Sequence, residues 1–132
     1  GTVRDGASYD INTPNGGNVT IHCNSIVKNP NASNYPMVTT GEEGGLYPSN
    51  SLAVTDNLFT SNASGKPIVG VQNRIPGMTA TVTGNIFVRI PHDTAGSGSF
   101  SASGNADSRS NASMPGTCGR IGANLKLPGK QR

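Results

Sequence analysis

The chain has 132 residues, the size of one domain, and its charged fraction of 13% excludes disorder driven by high charge. Its net charge of +3 comes mainly from the C-terminal end, without the basic stripe and interleaved aromatic residues of a nucleic-acid-binding protein, and no apolar run approaches the ~20 residues of a membrane span. The many Gly, Asn, Ser and Thr residues are typical of short strands separated by turns, so an all-β fold is predicted.

Three nine-residue segments align without gaps on an asparagine, and a weaker fourth copy follows. The copies are 19–27, 52–60, 80–88 and 100–105, and their shared column holds Asn24, Asn57, Asn85 and Asn105. The spacing between successive asparagines is 33, 28 and 20 residues. Such periods, combined with strand-type alternation, predict a right-handed parallel β-helix of about three to four coils. The asparagines are expected to form a structural ladder, hydrogen-bonded from coil to coil about 4.8 Å apart.

Alternation within each copy assigns the faces of the strands. The predicted inward columns are Ile21, Val54 and Val82, and Ile26, Phe59 and Phe87. The residues that alternate out of phase with the first column are His22, Thr55 and Thr83. These three are expected on the outer surface, either as a weak sugar-binding row or as an ordinary solvated face.

A second block aligns residues 31–38 with residues 62–69. This alignment places Arg74 over Glu43 and predicts an ion pair between neighbouring coils. Residues 92–99, rich in small side chains, are predicted to form a loop. The coils are predicted to occupy residues 1–115, followed by an irregular end or basic tail at 116–132, with Arg120, Lys126, Lys130 and Arg132 as its cations.

The two cysteines are assigned to different coils, Cys23 to the first asparagine coil and Cys118 to the fourth. Three rungs correspond to about 14 Å along the axis, whereas a disulfide requires Cα atoms within about 7 Å of each other. Both thiols are therefore predicted to be free, with Cys23 buried as a small hydrophobic residue.

Seven acidic residues limit the catalytic candidates, of which Glu42, Glu43 and Asp56 are considered. Glu42 and Glu43 are adjacent and would point to opposite faces of a strand, so they do not form a pair. Surface ion pairing is the alternative for both, and Asp56 could instead bond local backbone groups. His92 and Asp93 are neighbours without an identifiable third partner, so neither a triad nor a metal site is predicted.

Other repeat folds require patterns that the chain lacks. A leucine-rich repeat needs more leucines, a β-propeller needs four strands per repeat, and calcium-binding nonapeptides need a Gly-Gly-x-Gly-x-Asp pattern. A sandwich or jelly roll stays open, although neither readily explains the residue-for-residue alignment.

Two stretches carry a resemblance to a known family: residues 8–17 leading into 18–21, and residues 41–44 followed by 50–57. They resemble the later coils of secreted bacterial right-handed β-helix repeat proteins, in the wider pectate-lyase-like superfamily, over roughly residues 5–90. The resemblance implies a secreted, periplasmic or cell-surface protein and a C-terminal portion of a longer one. Enzymes of this kind use either calcium-binding aspartates with a basic residue or paired carboxylates.

The first functional hypothesis is a structural or surface-interaction β-helix segment of a larger secreted protein, with a polysaccharide as possible contact. The alternative is part of a polysaccharide lyase or hydrolase whose catalytic coils lie upstream of Gly1. The few acidic residues argue against a self-sufficient enzyme. No cofactor is predicted, apart from calcium if the protein is lyase-like. The exposed coil edge predicts contact with the upstream part of the parent protein or with another chain.

Overall fold

The computed structural model describes residues 1–4 and 9–118. Within this part of the chain, thirteen strands, numbered in chain order, form three sheets in which every pairing is parallel. The predicted all-β fold, a right-handed parallel β-helix of several coils, is confirmed. The four cations of the predicted basic tail lie outside the described residues.

Each coil visits the three sheets in the same order. Sheet A contains β1 (Thr2–Arg4), β4 (Ser25–Lys28), β7 (Leu58–Ser61), β10 (Ile86–Val88) and β13 (Ala106–Ser108). Sheet B contains β2 (Ile11–Thr13), β5 (Pro36–Thr40), β8 (Val69–Asn73) and β11 (His92–Ala95). Sheet C contains β3 (Asn18–His22), β6 (Ser51–Thr55), β9 (Thr79–Thr83) and β12 (Ser99–Ser103). Residues 116–118 are helical.

The core is built from side chains stacked in register along the axis. In sheet C, Ile21 pairs with Val54 and Val54 with Val82, and all three are buried as predicted. In sheet A, the second predicted column continues beyond the aromatic residues: Ile26, Phe59, Phe87 and Asp107 occupy one register line. The rings of Phe59 and Phe87 stack with centroids 4.8 Å apart, the separation of adjacent rungs.

The turn from sheet C to sheet A repeats in four coils. The residue just before each ladder asparagine has a left-handed backbone, with φ of 56° at Cys23, 57° at Asp56, 70° at Gly84 and 66° at Gly104. This conformation costs a residue with a Cβ about 1–2 kcal/mol, which explains glycine in two of the four coils. Cys23 therefore leaves the alternation of its strand and is only partly buried.

The register of sheet B differs from the prediction. Val38 pairs with Val71, and Thr40 with Asn73, an offset of 33 residues rather than the 31 that the sequence alignment gave. Arg74 consequently approaches Glu42, not Glu43, with its Nη1 atom 3.5 Å from Oε1. The predicted loop at 92–99 is also wrong in part, because β11 pairs with β8.

A buried ion pair lies between sheets A and B. The Lys28 ammonium is 3.5 Å from an Asp10 carboxylate oxygen, and both side chains are fully shielded from solvent. Lys28 also donates a hydrogen bond of 3.0 Å to the Pro36 carbonyl oxygen. Burial of a charge is tolerated only when it is paired and hydrogen-bonded, so this lysine joins two neighbouring strands of its coil rather than binding solvent.

The prediction of two free thiols is wrong, because Cys23 and Cys118 form a disulfide with Cα atoms 5.6 Å apart. The prediction treated Cys118 as a residue of the fourth coil. In the structure the last strand ends at Ser108, and residues 109–118 return along the stack to the first coil. A segment of this length can span about 30 Å, more than the three rungs that had to be crossed.

None of the described helical residues forms a helix long and apolar enough to cross a membrane.

Candidate functional site

The outer surface of sheet C carries mostly polar side chains in register. One column contains Thr20, Ala53, Thr81 and Ser101, and the next contains His22, Thr55, Thr83 and Ser103. We call these two columns the hydroxyl face. Because parallel strands lie about 4.8 Å apart and alternate residues about 6.7 Å apart, the face is a regular grid. The predicted row of His22, Thr55 and Thr83 is therefore one column of a larger surface.

The asparagine ladder borders this face and holds its strands in register. The backbone N–H of each asparagine donates to the side-chain Oδ1 of the next one, at 2.8 Å from Asn24 to Asn57, 2.8 Å from Asn57 to Asn85 and 2.9 Å from Asn85 to Asn105. The Nδ2 group of Asn57 donates back to the Ile21 carbonyl oxygen at 2.9 Å. Asn85 and Asn105 make the equivalent bond to the sheet C strand of the preceding coil, at the carbonyl oxygens of Val54 and Val82. Each amide thus joins two coils.

One end of the hydroxyl face is chemically distinct, because a histidine ring lies between an acidic residue and the disulfide. His22 Nδ1 is 2.8 Å from the Thr55 hydroxyl oxygen and 3.7 Å from an Asp56 carboxylate oxygen. His22 Nε2 is 3.3 Å from Cys23 Sγ. Asp56, a predicted catalytic candidate, thus interacts with His22 and not with another carboxylate. We call His22, Thr55, Asp56 and the disulfide the histidine–disulfide cluster.

The other two catalytic candidates lie at a different corner, after β5. Glu42 contacts Arg74 through Oε1, and its Oε2 atom is 3.1 Å from the Thr39 hydroxyl. Tyr9 donates a hydrogen bond to Glu42, and burial followed by the Glu42 charge raises the pKa of this tyrosine. Glu43 is exposed. Glu42 is therefore part of a surface network, and the two glutamates do not form a catalytic pair.

A carboxyl pair that the sequence analysis missed lies in the last coil. Asp107 continues the Phe87 column in β13, and Asp93 in β11 lies opposite Gly70 of β8. The two aspartate side chains are hydrogen-bonded to each other. Burial, then that hydrogen bond and the Asp107 charge, raise the pKa of Asp93 to about 7. A signal was present in the alignment, since Asp107 occupies the column of Ile26, Phe59 and Phe87.

A cleft of about 460 Å³ adjoins Asp107 at this end of the stack. Its lining residues are Phe87, Arg89, Ile90, Pro91, Asp107, Ser108 and Arg109. Arg89 also lines a second cleft of about 370 Å³ and donates hydrogen bonds to the Ser61 carbonyl oxygen and to Asn62 Oδ1. The guanidinium of Arg89 therefore joins two coils, and the same residue lines both clefts.

The raised pKa of Asp93 predicts a pH-dependent stability. The folded protein holds the Asp93 proton between about pH 4 and pH 7, where the unfolded chain has lost it, so the free energy of unfolding falls as pH rises through this range. Because Asp93 is partly exposed and screened by solvent, we expect the free energy of unfolding to fall by about 1 kcal/mol over this range. Asp93→Asn should flatten the dependence in urea unfolding measured from pH 4 to pH 8. Exposed Glu43→Gln is the control, and a slope unchanged in Asp93→Asn would contradict the prediction.

The structure thus brings together some predicted residues and separates others. His22, Thr55 and Thr83 share one column, joined by Ser103, which the weaker fourth repeat already placed in that position. Glu42 and Glu43 follow β5, whereas Asp56 follows β6, so the three catalytic candidates do not converge on one site. In residues 1–4 and 9–118, no group of three or more His, Cys, Asp and Glu side chains is positioned to hold a metal ion.

Comparison of the chain with known proteins gave no matching family model, no similar curated protein and no similar solved structure. The class of protein is therefore defined by the fold alone: a right-handed parallel β-helix with a ladder of asparagines and a regular polar face.

Proposed function

We propose that this chain is a structural and surface-interaction β-helix of a secreted or cell-surface protein, and that the hydroxyl face contacts a polysaccharide. The observation that carries the proposal is the registered grid on sheet C, in which four successive strands present hydroxyl-bearing side chains at repeated spacings. A repetitive polar surface is suited to a polymer that itself repeats hydroxyl groups, since each rung can offer a donor and an acceptor.

The rigidity of the face supports the same function. Side chains on a stack fixed by inward packing and by the asparagine ladder lose little freedom when a ligand binds, so less of the interaction energy is lost to ordering. Some of these groups already bond along the column, as in the contact between His22 and Thr55. The face is thus held in place before any ligand arrives.

The disulfide supports the proposed location. Disulfides persist in the extracellular space, the periplasm and on cell surfaces, whereas thiols of cytosolic proteins are kept reduced. The Cys23–Cys118 bond therefore agrees with secretion, which the resemblance to pectate-lyase-like repeat proteins also implies.

A pull-down on insoluble polysaccharides tests the proposal, with cross-linked pectin, alginate and cellulose as the solid phases. Thr81→Glu places a longer, negatively charged side chain in the centre of the hydroxyl face, where it blocks the face and repels uronate carboxylates, and is expected to lower the retained protein roughly tenfold on the polymer that binds. Ser64→Glu makes the same change in charge at an exposed position between β7 and β8, off the face, and should leave retention unchanged. No retention of the unmodified chain on any of the polymers would overturn the proposal.

The alternative is a segment of a polysaccharide lyase or hydrolase. The resemblance supports this alternative, but the acidic pair does not. Asp93 and Asp107 are in hydrogen-bond contact, whereas the two carboxyl groups of a glycosidase lie about 5 Å or more apart. Formation of unsaturated uronate by this chain in the presence of calcium would replace our proposal with the enzymatic one.

A further inference from the structure

The histidine–disulfide cluster has an arrangement that a purely structural disulfide does not need. The His22 ring has oxygen acceptors on one side, namely the Thr55 carbonyl oxygen at 3.2 Å from Nδ1 and the Asp56 carboxylate at 3.7 Å. Its other nitrogen, Nε2, faces Cys23 Sγ at 3.3 Å. When the ring carries both protons, the one on Nδ1 is donated to this oxygen-rich side and the one on Nε2 is directed at sulfur.

The backbone at this corner supports a specific role. Cys23 and Asp56 are two of three non-glycine residues with positive φ in the described part of the chain, and the same turn position is glycine in the next two coils. Strain of this kind is retained where the side chain is used. In this turn the strained residues carry the two groups that flank the histidine, the sulfur and the carboxylate.

The two sulfur atoms are not equivalent. Cys118 Sγ lies 3.1 Å from the Asp56 carbonyl oxygen, whose partial negative charge disfavours a thiolate at that sulfur. Cys23 Sγ lies beside His22, whose protonated ring stabilises a thiolate. When the disulfide is cleaved, Cys23 is therefore the better leaving group.

The disulfide also borders open space. A cavity of about 340 Å³ is lined by Gly1, Thr2, Cys23, Ser25, Met114 and Cys118. Both cysteines contribute to its wall and neither is fully buried. Within residues 1–4 and 9–118, this cavity gives a reagent a route to the bond that leaves the coils folded.

We propose that Cys23–Cys118 is a thiol–disulfide exchange site for a dithiol reductant, in which the protonated His22 ring stabilises the leaving Cys23 thiolate. One thiolate of the dithiol attacks Cys118 Sγ, and the S–S bond breaks with its electron pair on Cys23 Sγ, which becomes a thiolate beside His22 Nε2. The second thiol of the reductant loses its proton to solvent and attacks the mixed disulfide. The reductant leaves as its own disulfide, and Cys118 takes a proton from solvent. Reduction releases residues 109–118 from the first coil.

The rate of reduction of the folded, oxidised chain by dithiothreitol tests the proposal. His22→Gln is expected to slow cleavage roughly tenfold, because the leaving Cys23 thiolate loses the positive charge beside it. His92→Gln changes the other histidine, exposed in β11, and should react at the original rate. A histidine that only packs against the disulfide would give an unchanged or faster rate when removed, since loosened packing admits the reagent, and either outcome would overturn the proposal.

A second measurement needs no substitution. After reduction, brief alkylation with iodoacetamide at neutral pH should modify Cys23 roughly tenfold faster than Cys118, because a thiolate is the reactive species and His22 stabilises it only at Cys23. Peptide mapping by mass spectrometry separates the two sites. Equal labelling, or faster labelling of Cys118, would contradict the proposal. Polysaccharide binding is not involved in either readout.

Discussion

Cys118→Ser is expected to lower the free energy of unfolding by about 4 kcal/mol, because the disulfide joins residues 95 positions apart. Closing so long a loop restricts the unfolded chain strongly, and the native state gains in relative stability by a similar amount. Urea unfolding followed by far-ultraviolet circular dichroism, with and without reductant, measures the difference. Cys118→Ser should be less stable than the unmodified chain without reductant, and equally stable when reductant has cleaved the disulfide of the unmodified chain.

The matched controls for this prediction are the partner substitution and the double variant. Cys23→Ser should cost the same as Cys118→Ser, and the variant carrying both should cost no more than either, because all three remove one and the same cross-link. The reduced unmodified chain should unfold at the same urea concentration as the variants. A change below about 1 kcal/mol in Cys118→Ser would show that the cross-link does not restrict the unfolded chain as assumed.

The stacking of the coils was predictable because copies with equal spacing impose equal register. His22, Thr55 and Thr83 each stand two positions before a ladder asparagine. Because such positions recur in every copy, the inward columns and the polar row followed from alignment alone. Sheet B was less predictable. Residues 31–38 and 62–69 share identical residues, yet the strand register differs from their alignment by two positions. The alignment treated loop residues as if they were strand residues.

The disulfide and the acidic pair could not be predicted for a different reason. Both depend on where the chain goes after the repeat ends or changes sheet. Cys118 follows the last strand, and a height along the axis can be assigned only to residues inside a coil. Asp93 and Asp107 lie on two different sheets, so no period in the sequence relates them, although a carboxylate in an aromatic column marked Asp107 as unusual.

Asn57→Ala is expected to destabilise the protein by about 3 kcal/mol, because this residue is fully buried in the middle of the ladder. Its Oδ1 atom accepts the backbone N–H of Asn24, and its Nδ2 group donates to the Ile21 carbonyl oxygen. Alanine leaves both backbone groups without this partner beside a fully buried position, at roughly 1–3 kcal/mol each. Chemical denaturation of the oxidised chain measures the loss.

Asn105→Ala is the matched control, because Asn105 makes the same bonds at the other end of the ladder: its Oδ1 accepts from Asn85 and its Nδ2 donates to Val82. Asn105 is only partly buried, so water can replace the lost partners and the expected cost is about 1 kcal/mol. If both variants lost the same free energy, burial would not set the strength of the ladder. If Asn57→Ala lost less than Asn105→Ala, the asparagines would not hold the coils together, and the repeated inward packing alone would have to do so.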